Sequence, residues 1–214
     1  MFEGVKKLEM HAPGTDGRKT YESTGIFAPD QEYLPFQPAV KTDGRPEDWL
    51  NKVEAAMYTA TKKQLYRTLD ESRNMKKEKW VKDFPGQCII SAGQIVWTVE
   101  CEKALADADG ARAALRQLKK KWVSYLNKLT GLTRSRLSKI DRSKTVALIT
   151  IEVHARDVIE KLAKGGCTSA QDFDWVSQLR FYWDRDQNDC VVKQARRPRT
   201  ASSCLLRAPL RSAF

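Results

Sequence analysis

The chain is poor in the residues that most often carry chemistry or crosslinks. Histidine occurs twice in 214 residues, as His11 and His154, far apart in sequence. The cysteines (Cys88, Cys101, Cys167, Cys190 and Cys204) are odd in number, scattered, and without zinc spacing. A metal site is therefore unsupported, and reduced thiols in a cytosolic compartment are expected. No apolar run is long enough to cross a bilayer, so no membrane partner is expected. The N-terminus lacks the basic, apolar and small-residue order of a secretory signal. Glycine and proline are sparse beyond residue 46, and no internal repeat is visible. With charged residues plentiful, this composition favours a mainly helical, soluble protein of one domain or two small ones.

Charge is what the chain has in quantity. The net charge of +11 invites a nucleic-acid reading, but its location weakens that. Residues 195–214 hold five arginines and no acid, which leaves +6 over the first 194 residues. There the charge is interleaved with acids along helices, the usual pattern of a solvated face.

Met1–Leu8 reads as a short amphipathic piece, followed by a loop over His11–Gly17. Thr20–Phe36 alternates, with a turn at Pro29–Glu32, and predicts a small hairpin. Pro46, followed by Glu47 and Asp48, opens a long helix, and a short helix is expected around Trp80 until Pro85-Gly86. Gln87–Leu105 is locally ambiguous; its length and the series Ile90, Gly93, Trp97, Cys101 and Ala104 favour a helix. A clear helix follows Asp109-Gly110, with Leu115, Leu118, Trp122 and Leu129 on one stripe. Ser143–Lys164 predicts a further helix, capped by Asp141, apolar over a wide arc, and ended by Gly165-Gly166. Its Glu152, Arg156 and Glu160 are four apart, as exposed ion pairs would be. Ser169 and Asp172 resemble a capping box opening an aromatic helix, and Val191-Val192 suggests a strand.

Several motifs fail on their own chemistry. Gly14–Thr20 lacks the four-residue glycine spacing and the lysine of a phosphate-binding loop. His154–Asp157 resembles a kinase catalytic loop but sits inside a helix, without the metal-binding asparagine. Asp184–Asp189 starts like a calcium loop but has Asp189 where the loop needs glycine. No catalytic residue, cofactor site or metal site is expected.

The most distinctive stretch runs from Asp172 to Asp184, with Phe173, Trp175, Phe181, Tyr182 and Trp183 among charged and amide side chains, then Asp189-Cys190-Val191-Val192. It resembles the end of the linker domain of dynein heavy chains, just before the AAA+ motor ring. Ala147–Val158 agrees, as does Pro85-Gly86-Gln87 with Ser91, Gln94–Thr98 and Glu100. The resemblance runs from about Met1 to Gln194, leans toward axonemal heavy chains, and stops where the tail, residues 195–214, changes character. That implies a partial linker over 1–194 and an unrelated, Arg-rich disordered tail over 195–214. The implied fold is a mainly α, elongated helical bundle with a small N-terminal β-hairpin.

By that resemblance the chain is a fragment of a mechanical linker. In the full-length motor the linker couples ATP turnover in the AAA+ ring to microtubule-based movement. The ATPase modules lie elsewhere, so this chain is not itself expected to be an enzyme. The implied ring-docking residues are Trp175, Leu179, Arg180, Phe181, Tyr182 and Trp183. The implied partners are the AAA+ ring of the same heavy chain and, through the full-length motor, dynein complex subunits and microtubules. The implied locations are the cytoplasm and cytoskeleton, and the axoneme of the cilium for an axonemal chain. The alternatives are a basic α-helical binding module for RNA or another anion, and a helical adaptor.

Overall fold

The computed structural model describes residues 5–14, 17, 19–107, 110–195 and, for the backbone, 205–209. Several expectations therefore lie outside the described residues: Met1–Gly4, Thr15, Asp16 and Arg18 of the glycine loop, Asp109, and residues 196–204 and 210–214 of the tail. The rest divides into two units, one ending at Arg67 and the other beginning at Thr68.

In the first unit β1 (Lys7–His11), β2 (Glu22–Phe27) and β3 (Tyr33–Lys41) form an antiparallel sheet in that order. The expected hairpin is β2–β3, with Gln31 at a φ of 73° in its turn and Asp30 accepting from the Glu32 N–H. Where the sequence suggests an amphipathic piece, Leu8 instead pairs with Ile26 and Glu9 with Gly25. A lone hairpin is marginal in water, and the third strand supplies the missing pairing. Gly25 must be glycine, because a Cβ there would lie 2.6 Å from the Leu34 carbonyl oxygen and the Tyr33 ring. The Tyr33 hydroxyl donates to the Glu9 carboxylate, and Thr24 Oγ1 donates to it at 2.7 Å. Those two donors hold Glu9 below its usual pKa. The sheet packs Ile26, Phe36 and Val40 on Val53 and Ala60 of α1 (Pro46–Asn74), which opens with Pro46 and the acids Glu47 and Asp48 as expected.

The second unit takes the end of α1, then α2 (Lys77–Asp83), α3 (Gly86–Leu105), α4 (Ala111–Thr133), α5 (Lys139–Gly165) and α6 (Phe173–Val176). After these come β4 (Arg180–Asp184), β5 (Asp189–Ala195) and β6 (Leu205–Pro209), an antiparallel sheet in that order. The chain is thus mainly helical, and the tail contributes β6, which pairs with β5. The ambiguous segment is the helix α3, whose Cys88, Ile89, Ala92, Ile95, Trp97 and Cys101 are buried on more than one side. Burial of that breadth outweighs the strand propensity of its isoleucines and valines. The α4 stripe is buried as expected and packs against α5 and α3. Leu115, Leu129, Leu148 and Ile159 have no solvent exposure.

Two local expectations are corrected. Asp141 is not the N-cap of α5; Ser138 is, its Oγ accepting from Asp141 N–H at 3.0 Å and donating to the Asp141 carboxylate at 2.8 Å. Asp141 is the third-residue partner of a capping box, so the helix starts earlier than the sequence suggests. The aromatic helix is also shorter than expected: α6 spans four residues and the chain is a strand from Arg180. Phe181, Tyr182 and Trp183 are strong strand formers, and Cys190-Val191-Val192 supplies the pairing partner. Asp184 Oδ1 accepts from the N–H groups of Asp186 and Gln187, and Asn188 takes a φ of 47°, which turns the hairpin.

Candidate functional site

The aromatic stretch folds into two layers. Asp172 stands at the N-cap position of α6 but makes no side-chain bond to the helix; its Oδ2 instead accepts from the backbone N–H of Thr168 at 2.8 Å and of Ser169 at 3.0 Å, which lowers its pKa. Those bonds fix the approach of α6 and seat Trp175 in the core with no exposure. There its ring lies 5.3 Å from that of Trp97 on α3, tilted by 56°. Arg180, 6% exposed, also lies near Trp175, with its guanidinium carbon 6.0 Å from the ring centroid.

The hairpin is tied to α3 by polar contacts. The Phe181 N–H donates to Thr98 Oγ1 at 3.1 Å, and the Tyr182 hydroxyl donates to Glu102 Oε1 at 2.5 Å. Arg180 Nη1 donates to the Tyr182 oxygen at 3.1 Å and lies 3.9 Å from Glu102 Oε1. Burial and the Glu102 carboxylate push the Tyr182 phenol well up, so it remains a neutral donor across the physiological range.

The six residues singled out from the sequence therefore separate. Trp175 and Arg180 are interior, and Tyr182 anchors β4 to α3. Leu179 is 50% exposed, while Phe181 and Trp183 are half-buried and alternate with Arg180 and Tyr182 along the strand. Of the six, Leu179, Phe181 and Trp183 are the ones on the face of the strand opposite Arg180 and Tyr182 or, for Leu179, the most exposed.

The helical charges also differ from expectation. Glu152 is 2% exposed and buried, so it does not pair with Arg156. Arg156 pairs with Asp157, and Glu160 with Lys164 and Lys119. Glu152 falls on the same stripe as Leu148, Ala155 and Ile159, and that position was the available sign that it is internal. The Lys119-Lys120-Lys121 run is not a free basic patch: Lys119 pairs with Glu160 at 3.0 Å and Lys121 with Glu100 at 2.6 Å.

With this geometry in place, comparison with known proteins defines the class. Residues 1–68 match the family described as dynein heavy chain, N-terminal region 2. That match ends where the first structural unit does. The chain is 69% identical over 193 residues to the dynein-1-beta heavy chain of the flagellar inner arm I1 complex of Chlamydomonas reinhardtii, covering 90% of this chain. It is 42% identical over 198 residues to dynein axonemal heavy chain 2 of Homo sapiens, and 31% identical over 193 residues to the ciliary dynein beta chain of Tripneustes gratilla. In both, 90% of this chain is covered. The chain spans about 4% of the length of each of these relatives.

Proposed function

We propose that this chain is a segment of an axonemal dynein heavy chain and acts as part of its linker, a helical lever that transmits force. The observation that carries this reading is the 69% identity over 193 residues to a flagellar inner-arm heavy chain. A match of that length in 214 residues includes the aromatic stretch and the helices before it. The mechanical role draws support from how the hairpin is held. Thr98 Oγ1 and Glu102 Oε1 of α3 accept from the Phe181 N–H and the Tyr182 hydroxyl of β4, so load reaching the hairpin passes into a long, well-packed helix. In this reading Leu179, Phe181 and Trp183 face the AAA+ ring of the same heavy chain, while Trp175, Arg180 and Tyr182 brace them from behind. ATP turnover, microtubules and the other subunits of the dynein complex belong to the full-length motor, whose place is the ciliary axoneme.

The test is made in the full-length motor. Leu179→Asp and Trp183→Ala are introduced together, and microtubule gliding and ATPase activity are measured. Helicity and melting of the 214-residue chain with the same changes control for folding. Slower gliding with normal melting supports docking. Unchanged gliding with a normally folded variant overturns it.

A further inference from the structure

The expected interleaving of acids with bases fails over one part of the second unit. Residues 110–140 hold nine lysines and arginines and no acid. On α4 they are ordered. Arg112, Arg116, Lys120, Val123, Asn127 and Thr130 recur at three- and four-residue spacing, and all six are exposed. They form one row along the helix, clear of the face that buries Leu115, Trp122 and Leu129. Lys119 and Lys121, to either side, are answered by Glu160 of α5 and Glu100 of α3. Arg112, Arg116 and Lys120 have no acidic partner among the described residues. Like charges four apart on a helix repel, so this row costs stability that interleaved acids would restore. A face kept only for solvation carries both signs.

The row borders an apolar strip on α5. Val146, Ile149 and Val153 lie at three- and four-residue spacing on one side of that helix, and Glu160, seven residues beyond Val153, shares the side. Glu160 pairs with Lys119, so this side of α5 adjoins the flank of α4 that carries Val123, four residues beyond Lys119. At the other end of the pair Arg142 Nη1 donates to the Thr133 carbonyl at 2.9 Å, so the two helices run antiparallel and the rows lie alongside each other. Val123 is 38% exposed and Val146 52%, while Ile149 and Val153 are half-buried. Exposed aliphatics rimmed by charge of one sign are the mark of an interaction surface.

We propose that this α4–α5 face receives an acidic amphipathic helix of a partner protein. The partner's apolar seam covers Val123, Val146, Ile149 and Val153, and carboxylates on its flank meet Arg112, Arg116 and Lys120. The 23 residues of α4 extend about 35 Å, long enough for several turns of a docked helix. Charge decides against the other occupants. A second copy of the chain would set one cationic row against another. RNA would press its phosphates on the valines, and no residue of the row is aromatic, so its bases would find nothing to stack on.

The test is fluorescence anisotropy of the 214-residue chain with a labelled helical peptide that carries leucines at three- and four-residue spacing and glutamates beside them. The comparison probes are the same residues scrambled, the same peptide with lysine for glutamate, and a uridine oligonucleotide. The acidic amphipathic peptide is expected to bind about tenfold tighter than the scrambled one, and the lysine peptide not at all. Arg116→Glu with Lys120→Glu is expected to weaken binding about tenfold, and Val146→Asp to do the same. Lys52→Glu with Lys79→Glu makes the same change in net charge at exposed positions off this face and is expected to leave binding as it was. Circular dichroism checks the fold of each variant, and the Arg116 and Lys120 pair decides the matter even if Val146→Asp unfolds. The proposal is overturned if the scrambled peptide binds equally well, if the two charge-reversed pairs weaken binding alike, or if a folded Val146→Asp binds as the parent does. It is equally overturned if the oligonucleotide binds more tightly than the peptide, or if the parent self-associates and the Arg116 and Lys120 changes abolish it.

Discussion

Burial of Glu152 makes the stability of the second unit fall with rising pH. Desolvation, opposed by the Trp122 N–H and by Lys77, raises its pKa from 4.5 to about 7. At 1.36 kcal/mol per pH unit, the folded chain then holds this proton more tightly than the unfolded chain by about 3 kcal/mol. The raised value belongs to the folded state. The stabilisation is therefore complete below pH 4.5 and lost as pH climbs through about 7. Glu152→Gln removes the titration and keeps an oxygen for Trp122. Urea unfolding of parent and variant, followed by tryptophan fluorescence from pH 5 to 8, reads the difference. Five of the six tryptophans lie in the second unit, so the signal reports on it. The parent should lose about 2–3 kcal/mol relative to the variant across that range. The ionisable groups around Glu152 leave this signature distinct. Burial lowers the pKa of Lys77, so its contribution to stability rises with pH, and burial raises that of Tyr125, which acts only above pH 10. Arg73 and Lys128 are exposed, and Lys121 and Glu100 neutralise each other. Curves that stay parallel within about 0.5 kcal/mol would refute the assignment of a buried, ionisable carboxyl.

Gly93→Ala sets two effects against each other, a gain of about 1 kcal/mol in helix propensity and a clash with Glu152 Oε1 that strains a charged hydrogen bond worth about 1.5–3 kcal/mol. Net destabilisation of about 1–2 kcal/mol by urea unfolding is expected, and it should disappear in a Glu152→Ala background, where only the propensity gain remains. Tyr182→Phe removes the donor to Glu102 and a partner of Arg180 and should cost about 1–3 kcal/mol, with amide exchange accelerated first in the β4–β5 hairpin. Exchange unchanged in that variant would show that the α3 clamp does not hold the hairpin.

The helices were legible because their apolar stripes agree with their ends. In α4 the spacing of Leu115, Leu118, Trp122 and Leu129 gives the buried face directly, and in α5 Gly166, at a φ of 74°, stops the helix where the glycine pair predicts. What sequence missed was set by partners distant along the chain. Arg180–Asp184 becomes a strand because Asp189–Ala195 pairs with it and Thr98 and Glu102 hold its backbone and ring, none of which shows in a local window. Lys7–His11 becomes a strand because Glu22–Phe27 offers it an edge.

Glu152 teaches a sharper lesson. A charge at four-residue spacing from other charges reads as a surface ion pair, yet the same position is also four residues from Leu148 and seven from Ile159, both without exposure. When the two periodicities compete, the residue on the facing helix decides. Here two facing residues decide it: Trp122, whose indole N–H needs an acceptor inside the core, and Gly93, which lacks the side chain that would fill the space. A glycine kept in the middle of a long helix at a cost of about 1 kcal/mol, opposite a tryptophan and a carboxylate, marks a place where the interior was left open for a polar group rather than packed shut.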